Sequence, residues 1–155
     1  MKQETQKIIE ALSQAFLKAF KACLYSDYGI NPKVGRNTLR GSNMDNESIS
    51  RYIDKDGDVV VELLVNDYIQ YIESGRRKGA KFPPVNPIIR WCRKHNIPTD
   101  NSTVFLIRRA ISRDGIRPRP IMKSVFEDMD SQMKEIYLDR IFNSILTDLN
   151  QFFNQ

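Results

Sequence analysis

The side chains with the clearest chemical potential in this chain of 155 residues are clustered cations. The window 76–119 contains twelve Lys or Arg residues and only two acidic residues, Asp100 and Asp114, for a formal charge of +10. The remaining 111 residues carry 12 basic and 17 acidic groups, so the net charge of +5 conceals a basic middle between acidic flanks. A dense positive surface attracts phosphate groups and acidic proteins, so the pattern predicts one of these two partners for the middle of the chain.

Catalytic chemistry has little support in the sequence. The single histidine, His95, follows Arg93 and Lys94 and has no neighbouring carboxylate that could orient its ring. There is no nucleophile elbow and no Walker-type phosphate loop, and the stretch 75–79 has two glycines around three cations. We therefore predict that the protein is not an enzyme, has no catalytic residue and binds no cofactor.

Metal binding is also disfavoured. The acidic cluster from Asp54 to Asp58 only partly resembles a calcium loop, because its glycine stands at the fourth position instead of the sixth and Val65 occupies the twelfth. Cys23 and Cys92 lie far apart, with neither a metal-ligand spacing nor a disulfide framework. The sequence therefore predicts no metal site, and we interpret both cysteines as small buried hydrophobic residues in a reducing compartment.

The composition is typical of a globular protein. Apolar residues make up 41% of the chain and charged residues 28%, so a core can form without disulfides or metal. The apolar runs are only a few residues long, whereas a bilayer span needs about 20. The polar segment 1–10 does not predict a signal peptide. The length predicts a single domain over residues 1–155.

Apolar periodicity predicts helices at both ends of the chain. Apolar residues recur every three or four positions over 4–25 and again over 122–153, as on one face of a helix. The segment 47–66 predicts a β-hairpin, with an Asp-Gly turn within 55–58 and a β-branched second strand. Gly, Asn, Ser and Asp predominate over 28–46, which predicts a long irregular segment that could extend as an arm.

Two further helices are predicted within the basic window. Asn86 suits the N-cap of the first helix, which ends before Pro98. Asn101 or Ser102 suits the N-cap of the second helix, which ends near Gly115. These helices must position the cations around them.

The connections of the basic window are rich in Gly and Pro. The loop 76–86 is predicted to be a second extended arm, and a Pro-bracketed extended segment follows at 116–120. Trp91 is predicted to be buried between its helix and the sheet. The predicted fold class is α+β, with a small antiparallel sheet packed against N-terminal, middle and long C-terminal helices.

Two segments of the basic window resemble the tail-completion and neck proteins of tailed bacteriophages. Residues 68–94 read YIQYIESGRRKGAKFPPVNPIIRWCRK, and residues 106–122 read LIRRAISRDGIRPRPIM. The family has an aromatic-rich strand that ends in an acidic residue and a Gly, a basic loop with two prolines, and a short helix with a Trp. A helix with paired basic residues then leads through a "Gly…Pro-x-Pro" elbow into the C-terminal helix.

The resemblance implies a structural virion protein without a catalytic site. Such proteins form homo-oligomeric rings, here expected to be six- or twelve-fold, that join portal or adaptor proteins to the tail tube around the DNA passage. The expected location is the virion, and the host cytoplasm during assembly, with no membrane contact. The candidate residues for contact with a neighbouring subunit or with DNA in the lumen are Arg76, Arg77, Lys78, Lys81, Arg108, Arg109, Arg113, Arg117 and Arg119.

An alternative function remains open from the residues alone. A DNA-binding regulator or packaging accessory protein would also have a basic stretch with aromatic residues among its cations, here Phe82 and Trp91. The sequence does not decide whether the basic stretch contacts DNA or an acidic protein.

Overall fold

The computed structural model describes residues 3–56 and 58–154, and its first element is the predicted N-terminal helix. This helix, α1, spans Gln3–Tyr25 and buries one face that includes Ile8, Leu12 and Phe20. These positions follow the three- and four-residue spacing of the sequence, so burial of apolar area fixes which side of α1 faces inward. The predicted helix over 4–25 is confirmed.

The chain divides into two compact units, each of which is described by itself. The flanking unit comprises the chain up to Ile69 and from Pro120 onward, and the middle unit comprises Gln70–Arg119. The middle unit has 12 basic and 3 acidic residues, a formal charge of +9, and the flanking unit sums to −4. The charge boundary in the sequence therefore coincides with a boundary in the fold. The single domain expected over 1–155 stays a prediction.

The irregular segment predicted at 28–46 is folded beside α1. The short elements in and around it are a 3-10 turn at Asp27–Gly29, the antiparallel strands β1 (Ile30–Asn31) and β2 (Arg36–Asn37), and helix α2 (Asn43–Glu47). The side-chain amide of Asn37 donates to the carbonyl oxygen of Leu24 over 2.7 Å. The buried carboxylate of Asp45 accepts from the Tyr25 hydroxyl at 2.9 Å. That this segment reaches another subunit as an arm stays a prediction.

The predicted hairpin is confirmed. Strand β3 spans Ile49–Lys55 and pairs antiparallel with β4, Asp58–Leu64, with Tyr52 opposite Val61. Asp56 has a φ of 55°, the positive value expected at an Asp-Gly turn, and Gly57 lies outside the described residues. The hydroxyl of Tyr52 accepts a hydrogen bond of 2.6 Å from the Gln6 amide, which attaches the hairpin to α1.

The long C-terminal helical segment is also confirmed, with one irregularity. It consists of α6 (Ile121–Gln132), a π-helical turn (Met133–Tyr137) and α7 (Leu138–Phe153). Tyr137 is buried against Ile8 and Leu12 of α1. Further along, the Thr5 and Ser144 hydroxyls share a buried hydrogen bond of 2.8 Å, so α7 also packs on α1.

Three helices lie between the hairpin and α6. These are α3 (Ile69–Ser74), α4 (Val85–Lys94) and α5 (Asn101–Asp114), and the last two confirm the predicted middle helices. Helix α3 corrects the strand that the family resemblance implies before Gly75. Ile69 and Ile72 are three positions apart and partly buried, whereas Tyr71 between them is exposed, so the burial follows a helical period.

Both N-caps predicted for the middle helices are wrong. Pro84 is the cap residue of α4, and its proline ring favours the φ of −54° that leads the chain into the helix before Asn86. Asp100 caps α5, because its carboxylate accepts the backbone N–H of Thr103 at 2.9 Å. Gly115 ends α5 as predicted.

The fold class α+β is confirmed. The hairpin and the C-terminal helices both pack on α1, and Val61, Met129 and Ile141 lie against the buried cluster of Ile8, Leu12 and Tyr137. None of the helices in the described part of the chain is long and apolar enough to span a membrane.

Candidate functional site

The two segments that carry the family resemblance cross each other in the middle unit. Arg76 and Ile116 exchange two backbone hydrogen bonds of 2.8 Å and form an antiparallel bridge. Gly75 and Gly115 precede these two residues and have φ values of 64° and 68°. A Cβ on Gly75 would collide with the Ile116 carbonyl oxygen, and one on Gly115 would collide with that of Arg76. The crossing therefore requires glycine at both positions.

The basic loop, defined as residues 76–84, is attached to α5. The backbone N–H of Gly79 donates to the Ser112 carbonyl oxygen at 2.7 Å. From the same helix, Arg108 Nε donates to the Pro83 carbonyl oxygen at 2.6 Å. The basic loop thus has a defined conformation within its own chain, and the extended arm expected over 76–86 stays a prediction for the assembled protein.

Arg76 and Arg108, two of the predicted contact residues, hold the basic loop in place. The Arg108 guanidinium lies over the Phe82 ring, 5.4 Å from its centroid, and that ring packs against Phe105 at 5.7 Å. Arg76 donates from Nη2 to the carbonyl oxygen of Lys81. These guanidinium groups therefore have structural partners, and their contact with another molecule stays a prediction.

Arg113 and Arg119 also have surroundings within the middle unit. Arg113 forms an ion pair of 2.7 Å with the adjacent Asp114. Arg119 is half-buried, and this burial lowers the pKa of its guanidinium. The backbone N–H of Arg119 donates to the Ile72 carbonyl oxygen at 2.8 Å and thereby attaches the elbow, residues 115–120, to α3.

The other five predicted contact residues are exposed cations. Within the described residues none of them forms an ion pair; they are Arg77, Lys78, Lys81, Arg109 and Arg117. A Cβ on Gly115 would lie 2.9 Å from the backbone nitrogen of Lys78, so the basic loop and the elbow run side by side. The structure therefore brings Arg77, Lys78 and Arg117 onto adjacent segments although about 40 residues separate them in sequence.

The acidic residues of the window 76–119 are engaged elsewhere. Asp100 accepts hydrogen bonds from the hydroxyls of Ser102 and Thr103 and from the Thr103 backbone, and these bonds hold the pKa of Asp100 well below its usual range. Asp114 is paired with Arg113. The exposed charge of the basic loop and elbow is therefore positive, and phosphate or carboxylate groups are the ligands that it can bind.

The prediction that Trp91 is buried is wrong. Its side chain is 47% exposed on α4 and contacts the tilted ring of His95, one turn later, with 4.7 Å between the ring centroids. The buried residue of α4 is the adjacent Cys92, so α4 packs through that side of the helix. Cys23 is buried as well, which confirms the predicted burial of both cysteines.

Sequence reasoning missed an apolar component of the middle unit's surface. Tyr71, Phe105 and Leu106 are 63%, 48% and 59% exposed. An apolar residue has the same hydropathy whether it packs in the core of its own chain or is exposed on the surface. Hydropathy therefore could not predict that these three side chains are exposed. The sequence also could not predict that Arg76 and Arg108 hold the basic loop, because their hydrogen-bond acceptors are carbonyl groups that only folding brings near them.

Within the described residues, no group of three or more His, Cys, Asp or Glu side chains is placed to hold a metal ion. No family model matches the chain, and neither a curated protein nor a solved structure matches it. The family resemblance therefore rests on residues 68–94 and 106–122.

Proposed function

We propose that the protein is a structural, non-enzymatic subunit of a ring in the neck or tail-completion region of a tailed bacteriophage. The ring would join portal or adaptor proteins to the tail tube around the DNA passage. The observation that carries the proposal is the bridge between Arg76 and Ile116, which gives the basic loop a fixed shape. The residues of the resemblance are those that build this bridge, including Gly75 and Gly115.

The charge of the basic loop supports a contact with DNA in transit. Arg77, Lys78 and Lys81 are exposed, and loop residues held by backbone hydrogen bonds lose little entropy when they meet a partner. Contacts of cations with phosphates carry no sequence information, and many weak contacts around a lumen would guide DNA of any sequence. An acidic neighbouring ring would use the same cations.

The apolar surface of the middle unit supports contacts with protein neighbours. Tyr71, Phe105 and Leu106 are large side chains that are 48% to 63% exposed in the single chain. Exposed apolar side chains rimmed by charges are typical of protein interfaces. Heterologous contacts between identical subunits close into a ring when a whole number of subunit-to-subunit rotations makes 360°. Six- or twelve-fold rings are expected here.

Imaging of the purified protein tests this proposal. We expect light scattering and negative-stain class averages to show closed rings of six or twelve copies. Leu106→Glu should reduce the ring population, because the interface would then bury a carboxylate, whereas the folded chain has this position exposed. Asn86→Glu is the matched control, since it adds the same charge at an exposed position in the first turn of α4.

The alternative function is a DNA-binding regulator or packaging accessory protein. The observation that favours it is the exposure of Trp91 on α4, a helix that also carries the exposed Arg90 and Arg93. Tight, sequence-specific binding of duplex DNA by a monomer or dimer, with no rings at any protein concentration, would overturn the ring proposal in favour of this alternative.

A further inference from the structure

Helix α7 packs one face on its own unit and leaves a second, apolar face uncovered. The packed face contains Ile141, Ser144 and Asp148, with Ser144 hydrogen-bonded to Thr5 of α1. The second face is exposed in the folded chain. Its residues are Leu138, Phe142, Ile145, Leu146, Leu149, Phe152 and Phe153, with exposed fractions from 41% to 77%.

The exposed face is large for a protein that functions as a monomer. Phe142, Phe152 and Phe153 are 61%, 70% and 77% exposed. With the area of a large apolar side chain near 190 Å², the seven residues present about 700 Å² of apolar surface. The largest patch of a typical monomer is about 300–600 Å², whereas a stable interface needs about 800 Å² from each partner. The exposed face of α7 by itself approaches the area that a dimer requires.

The spacing of the exposed face indicates what kind of partner it fits. Leu138, Phe142, Ile145, Leu149 and Phe152 follow one another at steps of four, three, four and three residues. This is the 3.5-residue period of a seam between two helices, and we call these five residues the α7 seam. The remaining side of the helix is polar, with Asn143, Thr147 and Asn150 exposed. The α7 seam is therefore suited to a helix rather than to a strand or a flat surface.

We propose that the α7 seam binds the α7 seam of a second copy of this chain in an antiparallel, two-fold contact centred on Ile145. The spacing is nearly symmetrical about Ile145, so reversing one helix places Leu138 against Phe152 of the second copy and Phe142 against Leu149 of the second copy. The surface is thus complementary to itself without any other segment or partner.

The antiparallel direction follows from side-chain volume. In the antiparallel pair each phenylalanine of the α7 seam meets a leucine, and alternating large and small side chains fill the space between two helices evenly. A parallel pair in register would place Phe142 on Phe142 and Phe152 on Phe152, with an Ile145 pair and a Leu149 pair between them. Antiparallel helices also align their dipoles favourably.

This contact goes beyond the proposed ring. An isologous two-fold contact closes on itself, whereas a ring forms through heterologous contacts, so the α7 pair and the ring can each exist without the other. The α7 pair belongs to the flanking unit, and the features that support the ring proposal belong to the middle unit. Variants of α7 and variants of the basic loop therefore test separate statements.

Light scattering of the purified full-length protein tests the pairing. Ile145→Glu with Leu149→Glu should halve the molar mass of the particle and raise the dissociation constant of the pair at least about a hundredfold, because unpaired carboxylates would be buried in the seam. Asn143→Glu with Asn150→Glu places the same charges on the polar side of α7 and should leave the molar mass unchanged. Circular dichroism should show the same helix content for both variants.

Cysteine crosslinking tests the direction of the pair. Ile145→Cys should form a disulfide-linked dimer at least about tenfold faster than Asn143→Cys, because the seam raises the effective concentration of the two thiols. A mixture of Leu138→Cys and Phe152→Cys chains should crosslink to each other rather than to themselves. The native Cys23 and Cys92 are buried and supply little background.

Three results would overturn the inference. The first is an equal molar mass for the wild-type protein and for the variant with Ile145→Glu and Leu149→Glu. The second is preferential self-crosslinking of Leu138→Cys and of Phe152→Cys, which would indicate a parallel pair. The third is a wild-type monomer in which the α7 seam becomes covered only when a different protein is added.

Discussion

The shape of the basic loop depends on Gly75 and Gly115 as well as on the hydrogen bonds of Arg76 and Arg108. The two glycines let the backbones of Arg76 and Ile116 approach, and this bridge holds the loop and the elbow together. The cations Arg77 and Lys78 can be replaced without loss of packing, because they are exposed. Some residues of the site, such as Gly75 and Gly115, therefore determine its backbone conformation, and others, such as Arg77 and Lys78, determine its charge.

Gly115→Ala should reduce the free energy of unfolding by about 2–6 kcal/mol, because about 1–3 kcal/mol of backbone strain adds to about 1–3 kcal/mol of overpacking. Gly115 has a φ of 68° and a ψ of −172°, a region that is open essentially to glycine alone, and the added Cβ would also collide with the Arg76 carbonyl oxygen. Gly41→Ala is the control, since Gly41 has a φ of 70° but no atom within 4 Å of the added Cβ, and it should cost about 1–2 kcal/mol. Urea unfolding of both variants measures the difference. Equal reductions would mean that the crossing is not tightly packed.

Helix α4 shows how an element can present a large aromatic residue without packing it. Cys92 is buried and Trp91 beside it is 47% exposed. Successive residues of a helix point in different directions, so two neighbouring side chains do not both face the core. The Trp91 ring contacts His95 of the same helix. Helix α4 therefore presents Trp91 on its surface while it packs on its own unit through Cys92.

Trp91→Ala should lower the free energy of unfolding by about 1–2 kcal/mol, below the ~3–5 kcal/mol typical of a fully buried tryptophan. Leu24→Ala, at a fully buried position of α1, should cost about 2–5 kcal/mol and serves as the reference. Trp91 is the only tryptophan, so its fluorescence reports this site alone. We expect native emission close to that of the unfolded chain and ready quenching by acrylamide. Strongly blue-shifted, protected emission would contradict the exposed placement.

At the scale of the whole molecule, charge and fold are divided in the same way. The middle unit carries +9 and the flanking unit −4, so the chain is strongly polarised although its net charge is modest. Such a distribution favours the contact of a polyanion with the middle unit over its contact with the flanking unit. Any DNA contact should therefore depend on cations of the middle unit only.

Replacing Arg77, Lys78 and Lys81 together with serine should flatten the salt dependence of duplex DNA binding. The slope of the logarithm of affinity against the logarithm of salt concentration should fall in magnitude by about 0.9 for each phosphate that the variant no longer neutralises. Serine at Lys7, Lys18 and Lys55 removes the same charge from exposed positions of the flanking unit and is the control. Fluorescence anisotropy at several salt concentrations measures both slopes, and equal slopes would show that the basic loop does not bind DNA.

The elements that the sequence predicted correctly are those with a strong apolar period. Helix α1, the β3–β4 hairpin and the C-terminal helices follow from spacing, because one face of each must leave water. The N-caps were misplaced by one or two residues. Before α4 the cap is a proline without a side-chain hydrogen bond, and before α5 three successive polar residues, Asp100, Asn101 and Ser102, could each cap. The strand that the resemblance implied before Gly75 is a helix instead, because a six-residue segment with three apolar residues is too short for its spacing to distinguish a helix from a strand.

By itself the sequence determined the fold class, the basic character of the middle of the chain and the two segments that meet in the candidate site. Only the tertiary structure decided that these segments cross at Gly75 and Gly115, and that Arg76 and Arg108 hold the loop while Arg77 and Lys78 stay exposed. It also decided that Trp91 and the α7 seam face outward. The physical reason is that charge and hydropathy belong to each residue, whereas burial and hydrogen-bond partners belong to pairs of residues that are distant in sequence.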